Sequence, residues 1–236
     1  MFQPYKFTYE KARPSHQEFM EYLQTPDDDA YTMVEDTVNK TLEQLKCEQG
    51  IVGGYNILPC EAVDVDNGEV LCSVGPFHTG KLISSYMKDA TKLALFLCTA
   101  GPFFTNMRQQ YQKKGDYLEA FIVDAMGSAF VGKAMALIQL DLAKKCHHKG
   151  EHISNYYSPG YCEWPTTDQK NLFSYIGEQP TGILLSETCL MSPIKSVSGI
   201  IGIGKYLKKR PYGCATCNSK SCIYRRMKEK IKQTNQ

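Results

Sequence analysis

No apolar run in this 236-residue chain reaches the roughly 20 residues that a membrane-spanning helix needs. The opening MFQPYKFTYEK lacks the apolar stretch of a secretory signal. There is no internal repeat and no low-complexity segment, which excludes solenoids and compositional tails. Five His and ten Cys are present, yet no Ser-His-Asp or Cys-His arrangement can be placed. The acids at Asp27, Asp28 and Asp29, and at Asp64 and Asp66, read as helix-start and turn residues, not as acid–base machinery. Ten Cys without a signal point to reduced thiols in a cytoplasm and not to a disulfide framework.

Acids are also scarce at one end. From Lys205 to Gln236 there are ten Lys or Arg and one acid, Glu229, giving +9. The whole chain carries +2, so the remainder carries −7. Such a tail can dock an acidic partner, nucleic acid or its own acidic body, and a solvated terminal helix is the plainer reading. An apolar share of 42% suffices for a core. The length suits one large domain with appendages: a helical arm over 1–49, a core over 50–204 and a basic, Cys-containing tail over 205–236.

Periodicity predicts the elements. After an extended arm, Pro14-Ser15-His16 opens a short helix. Asp27-Asp28-Asp29 starts a second, with Met33, Val34, Thr37, Val38, Thr41, Leu42 and Leu45 on one face. IVGGYNILP, EAVDVD and EVLCSV read as three short strands, the last two joined by a tight turn at Asp66-Asn67-Gly68. Thr79 caps a helix, and KLALFLC is a continuous apolar strand. A helix to about 114 precedes the longest one, over 116–147, where Ala125, Gly127, Ser128, Ala129 and Gly132 leave room for another backbone or a ligand. A loop through Glu163, a helix over 165–176 and strands near 182–186 and 195–203 complete the chain. Helices and antiparallel strands without regular βαβ alternation predict an α+β fold, an antiparallel sheet with flanking helices.

Within 157–204 lie the only Trp, Trp164, and a dense run of Gly, Pro and Ser. Two irregular segments, Tyr157-Ser158-Pro159-Gly160-Tyr161 and Met191-Ser192-Pro193-Ile194-Lys195-Ser196-Val197-Ser198-Gly199, flank a short helix. Such backbone is poor core material and good material for close approach to a ligand.

Other constellations are weaker. Gly199-x-x-Gly202-x-Gly204-Lys205 lacks the Ser or Thr and the helix start of a phosphate loop and reads as a Gly-rich strand. Cys146-His147-His148 with His152 sits at a helix end, where adjacent His point apart. Cys214-x-x-Cys217-x4-Cys222 is a metal-like knuckle suited to zinc or an iron–sulfur cluster, for which Cys162 or Cys189 could be a fourth ligand. The alternative is free thiols on a basic tail.

Ser158-Pro159-Gly160-Tyr161 resembles the R-x-x-P-G-Y signature of the activation domain of cobalamin-dependent methionine synthase. Leu185-Ser186-Glu187-Thr188, followed by Met191-x-Pro193-x-x-Ser196-Val197-Ser198-Gly199, resembles that family's second motif in the same order. Thr99-Ala100-Gly101 and Asp116-x3-Ala120-x3-Asp124-Ala125-x-Gly127-Ser128-Ala129 resemble its shorter, stand-alone members. The similarity covers about 50–204. The family's Arg five residues before the Tyr of P-G-Y falls here at Tyr156, its Glu on the long helix near Gly132, and an aromatic after S-V-S-G near Ile201.

The resemblance implies an accessory protein of cobalamin-dependent methionine synthesis, not a complete enzyme alone. In the family this domain closes over an oxidised, cobalamin-bearing module. One electron from flavodoxin or ferredoxin and a methyl group from S-adenosylmethionine then restore methylcobalamin. It implies a ligand loop of Tyr156, Ser158, Pro159, Gly160 and Tyr161 and a facing wall of Ser196, Ser198 and Gly199. The implied partner is a corrinoid-binding protein or a methionine synthase lacking this domain. No membrane is expected as a partner, and nucleic acid is not favoured. The alternative is a corrinoid-protein interaction module that binds no S-adenosylmethionine and carries an iron–sulfur or zinc site at Cys214, Cys217 and Cys222.

Overall fold

A computed structural model of the chain describes residues 1–23, 34–46, 48 and 50–210. Nine strands appear among them: β1 (Gln3–Phe7), β2 (Ile51–Asp64), β3 (Glu69–Cys72), β4 (Gly75–Phe77), β5 (Lys92–Thr99), β6 (His152–Tyr157), β7 (Leu184–Leu185), β8 (Met191–Ser192) and β9 (Ser196–Gly204). The helices are α1 (His16–Leu23), α2 (Glu35–Leu45), α3 (Gly80–Met87), α4 (Phe103–Lys114), α5 (Tyr117–His147) and α6 (Gln169–Ile176), with a 3-10 turn at Thr166–Asp168 before α6.

Seven strands form one antiparallel sheet in the order β4-β3-β2-β5-β9-β6, with β1 also paired to β2; β7 and β8 form a separate hairpin. The expected α+β class is the observed one. At the centre is the KLALFLC run, as β5. Leu93, Leu95 and Leu97 face one core, with Trp164, Tyr157, Phe77 and Met87. Ala94, Phe96 and Cys98 face the other, with α5, Phe104 and Ile201. Both faces are covered, so the strand shows no polar alternation.

The two expected strands between 51 and 64 are one, β2. Pro59 survives inside it because its ring nitrogen faces away from β5, toward the end of β3, where its carbonyl accepts from Ser73 N (3.2 Å). Its missing N–H therefore costs no bond to the central strand β5. The arm contains a strand, β1. Residues 152–157, expected as loop, are the edge strand β6. Its register shifts between Ile153 and Tyr156, and the Ser154 hydroxyl accepts from Gly202 N (2.9 Å), which broke the pattern that would have revealed it.

Ser15 and Glu18 form a reciprocal cap on α1: Ser15 N donates to Glu18 Oε2 (2.7 Å) and Glu18 N to Ser15 Oγ (3.2 Å). Thr79 precedes α3, but its hydroxyl is directed to the Gly68 carbonyl and does not cap the helix. By length and composition α5 could cross a membrane, although Asp124 and Lys133 interrupt its apolar residues. In this fold 61% of its most apolar window is buried, as suits a core helix.

Candidate functional site

β6 and β9 pair as far as Tyr157↔Ile200 and then part. The next residues, Ser158 and Pro159, leave the ladder, and Pro159 has no N–H with which to continue it. β9 runs on through Gly199, Ser198, Val197 and Ser196, paired to β5 alone. The wedge between the diverging chains opens into a cleft of about 620 Å³ lined by Asn155, Tyr156, Ser158, Pro159 and Tyr161 on one side and Ser196, Val197 and Ser198 on the other. Gln139 of α5, Gln169 of α6, Met191 of β8 and Arg210 close it.

The two motifs, more than thirty residues apart, thus meet at one site. Tyr156, Ser158, Pro159, Tyr161, Ser196 and Ser198 all line it. Gly160 and Gly199 stand behind it. Gly160 has φ +93° and closes the loop by donating from its N to Trp164 O (2.9 Å). A Cβ on Gly199 would overlap the Tyr157 carbonyl, so this glycine lets β6 and β9 come together just before they part.

The loop wall hangs on Trp164 and Glu163. Trp164 is buried against Phe77, ring centroids 5.7 Å apart, and its Nε1 donates to Asp168 Oδ2 (2.8 Å). Asp168, itself buried, also accepts from His78 N (2.6 Å) and Asn171 Nδ2 (2.9 Å). Glu163 Oε2 accepts from Lys81 N (3.1 Å) in the first turn of α3, where a carboxylate is favoured.

The strand wall is fixed through Lys195. Its carbonyl accepts from Ala100 N (2.8 Å) and Thr99 Oγ1 (3.3 Å). Its buried ammonium reaches Asp124 Oδ2 (2.8 Å) and donates to Ser128 Oγ (3.0 Å). Asp124 also holds Arg108 (3.2 Å). The small residues of α5 admit these partners, not a ligand: a Cβ on Gly127 would lie 2.8 Å from Lys195 Cγ and 2.9 Å from Phe104 Cβ, and one on Gly132 would overlap the Tyr22 hydroxyl. The position of the expected Glu on the long helix is therefore given over to packing α1 against α5.

Two rings offer their surfaces to the cleft. Tyr156 packs edge-on against Phe96 (5.7 Å) and stays 38% exposed; Tyr161 is 62% exposed. Burial pushes the Tyr156 phenol up, so the ring is neutral and cation-attracting at ordinary pH.

The family model of the vitamin B12 dependent methionine synthase activation domain matches residues 82–222, more than half of the chain. The chain belongs to this family. The fold of this activation-domain protein is similar to that in the crystal structure of the MetH reactivation domain bound to AdoHcy, with a TM-score of 0.66, covering 90% of this chain and 81% of that one at 13% identity. No curated protein matches the chain.

The remaining candidates lie elsewhere. Cys214, Cys217 and Cys222 fall outside the described residues. Cys162 and Cys189 sit in turns with φ 54° and 63°. Among the described residues no group of three or more His, Cys, Asp or Glu could hold a metal. His147, His148 and His152 line a groove of about 890 Å³ at the other end of β6, with Lys144, Lys205, Lys208 and Lys209. Sequence reasoning missed Gln139, Asn155, Gln169 and Arg210 at the cleft, and Asp168 behind it.

Proposed function

We propose that the cleft binds S-adenosylmethionine and that the chain serves the reductive methylation of a cobalamin carried by a partner, a corrinoid-binding protein or a methionine synthase lacking this domain. One observation carries the reading: in a chain of the activation-domain family, the P-G-Y loop and the S-V-S-G strand are the two walls of a single cleft. Its volume falls within the range of small-molecule sites.

The lining suits such a ligand. The rings of Tyr156 and Tyr161 suit the cationic sulfonium. Ser158, Ser196, Ser198, Asn155, Gln139 and Gln169 supply neutral donors and acceptors for a nucleoside. Among the described residues no acid–base pair lines the cleft, and methyl transfer needs none, since placing the methyl group in line with its acceptor is the main demand. In the overall change, one electron from a flavodoxin or ferredoxin and the methyl cation convert the cob(II) form to methylcobalamin, with S-adenosylhomocysteine leaving. The protein's part is to hold the donor with its methyl group facing the partner.

Calorimetric titration tests the ligand. Saturable heat with S-adenosylmethionine is expected, and none at millimolar ligand would sink the reading. Mixing with a cob(II)-loaded corrinoid protein, a one-electron reductant and labelled S-adenosylmethionine tests the role, since label must then reach the corrinoid faster than without this chain.

A further inference from the structure

One charged residue, Arg210, lines the cleft among the described residues, and no Asp or Glu lines it there. Arg210 belongs to the segment read from sequence as the start of a tail. Its described part, residues 205–210, lies against the body. After β9 the chain turns at Lys205 and Tyr206, and Leu207 is buried. It fits where Gly202 leaves space, since a Cβ there would lie 2.8 Å from Met87 Sδ and 3.1 Å from Leu207 Cδ1. Three residues on, Asn155 Nδ2 donates to the Arg210 carbonyl, binding the segment to β6 at the cleft. The Arg210 guanidinium lies 5.6 Å from the ring centroid of Tyr86 on α3. A guanidinium over a ring keeps its in-plane N–H donors free for a bidentate acceptor.

Resting on the S-adenosylmethionine reading, we propose that Arg210 is the residue that binds the carboxylate of the ligand's amino-acid end. The family's Arg position is Tyr156 here, so the cation reaches the cleft from the C-terminal side instead. The sulfonium then lies toward the tyrosine rings and the carboxylate toward Arg210. With no acid among the described residues of the lining, the ligand's amino group has no ion-pair partner among them and adds little affinity. The cleft therefore selects nucleosides with an anionic end.

The test compares S-adenosylhomocysteine, its carboxamide and 5′-methylthioadenosine, which lacks the amino-acid end, by calorimetry on the full chain. Wild-type protein is expected to bind S-adenosylhomocysteine about 10- to 100-fold more tightly than the carboxamide, the range for losing one charge-assisted contact. In Arg210→Ala that preference disappears while 5′-methylthioadenosine binds as before. Arg210→Lys retains part of the preference. Equal binding of acid and carboxamide by the wild type overturns the assignment without recourse to any variant. A parallel loss of all three ligands in Arg210→Ala also overturns it, as the mark of a merely structural residue. Wild-type protein that binds 5′-methylthioadenosine and S-adenosylhomocysteine equally leaves the nucleoside site standing and removes Arg210's role. Wild-type protein that binds none of them overturns the S-adenosylmethionine reading and this assignment with it.

Discussion

The loop wall of the cleft, residues 158–164, lies outside the sheet and is held by side chains: Trp164 on Asp168, and Glu163 on the first turn of α3. The strand wall, residues 196–199, has an unbroken ladder to β5 and a carbonyl anchor at Lys195 before its ion pair with Asp124 is counted. One wall depends on a few side-chain bonds, and the other is part of the core with polar bonds added. Substitutions in the two walls should therefore separate ligand affinity from stability. Trimming an anchor of the loop wall moves affinity, whereas damage to the strand wall is felt first in the fold.

The largest effect is expected where the walls join. Gly199→Ala sets a methyl group against the Tyr157 carbonyl, and backbone cannot rotate away as a side chain can. Overpacking of this kind costs about 3 kcal/mol. Chemical denaturation should show the loss with the m-value unchanged. A stability within about 0.5 kcal/mol of wild type, the usual scatter of neutral surface changes, would mean that β6 and β9 are not held this closely.

Asp168→Asn comes next. The amide oxygen can still accept from Trp164 Nε1 and His78 N, but it is uncharged, and the NH2 takes the place of the oxygen that accepted from Asn171 Nδ2, so the loss of these charge-assisted bonds costs about 2 kcal/mol. The Trp164 indole should become more mobile, read by its fluorescence anisotropy. Affinity for S-adenosylhomocysteine should fall by more than Gly199→Ala lowers it in the fraction that stays folded. Unchanged affinity would show that the loop wall does not need this anchor.

Lys195→Met keeps the aliphatic stem beside Gly127 and removes only the ammonium. Asp124 is about a third exposed and keeps Arg108, so the cost is about 1.5 kcal/mol and not the larger penalty of a stranded buried charge. The backbone anchors at Ala100 and Thr99 are untouched, and ligand affinity should stay within about threefold of wild type, under 1 kcal/mol. A tenfold loss would break the contrast between the walls.

What could be read from sequence follows the same division. KLALFLC and the long helix were legible because apolar period and length report burial. The P-G-Y and S-V-S-G segments were legible as composition, and their meeting was expected through the family resemblance. β6 was not, because the bulge at Ser154 and Asn155 replaces backbone pairing with a hydroxyl. Gly199, expected as ligand wall, lies behind the lining, and only the approach of a neighbouring strand reveals its task. Arg210 was hidden by its company: in a segment of ten cations nothing local marks it as a cleft residue, and Leu207, which ties its stretch to the core, reads as an isolated apolar residue. Gly127 and Gly132 were read as room for another backbone or a ligand, but the visitors are side chains, Lys195, Phe104 and Tyr22, which no local pattern announces.

The smallest effect tests the two core faces against each other at high pH. Tyr157, at the root of the loop wall, is buried in one core, and Tyr9 in the other; burial pushes both phenols up. A folded-state value above the unfolded one gives stability that is complete below about pH 10, the ordinary tyrosine value, and is lost as pH rises toward the folded one. At pH 10.5 each phenol then withdraws about 0.8 kcal/mol, because the unfolded chain ionises first. Tyr157→Phe should remove its share of this alkaline limb, and Tyr9→Phe a similar share, each read as a flatter stability profile between pH 9 and about 11. Tyr9 also donates to the Ala100 carbonyl (2.6 Å), so its replacement should cost stability at neutral pH as well, by about 1 kcal/mol. If Tyr157→Phe leaves the alkaline slope untouched, solvent reaches that phenol, and the root of the loop wall is looser than the tight β6–β9 junction at Gly199 requires.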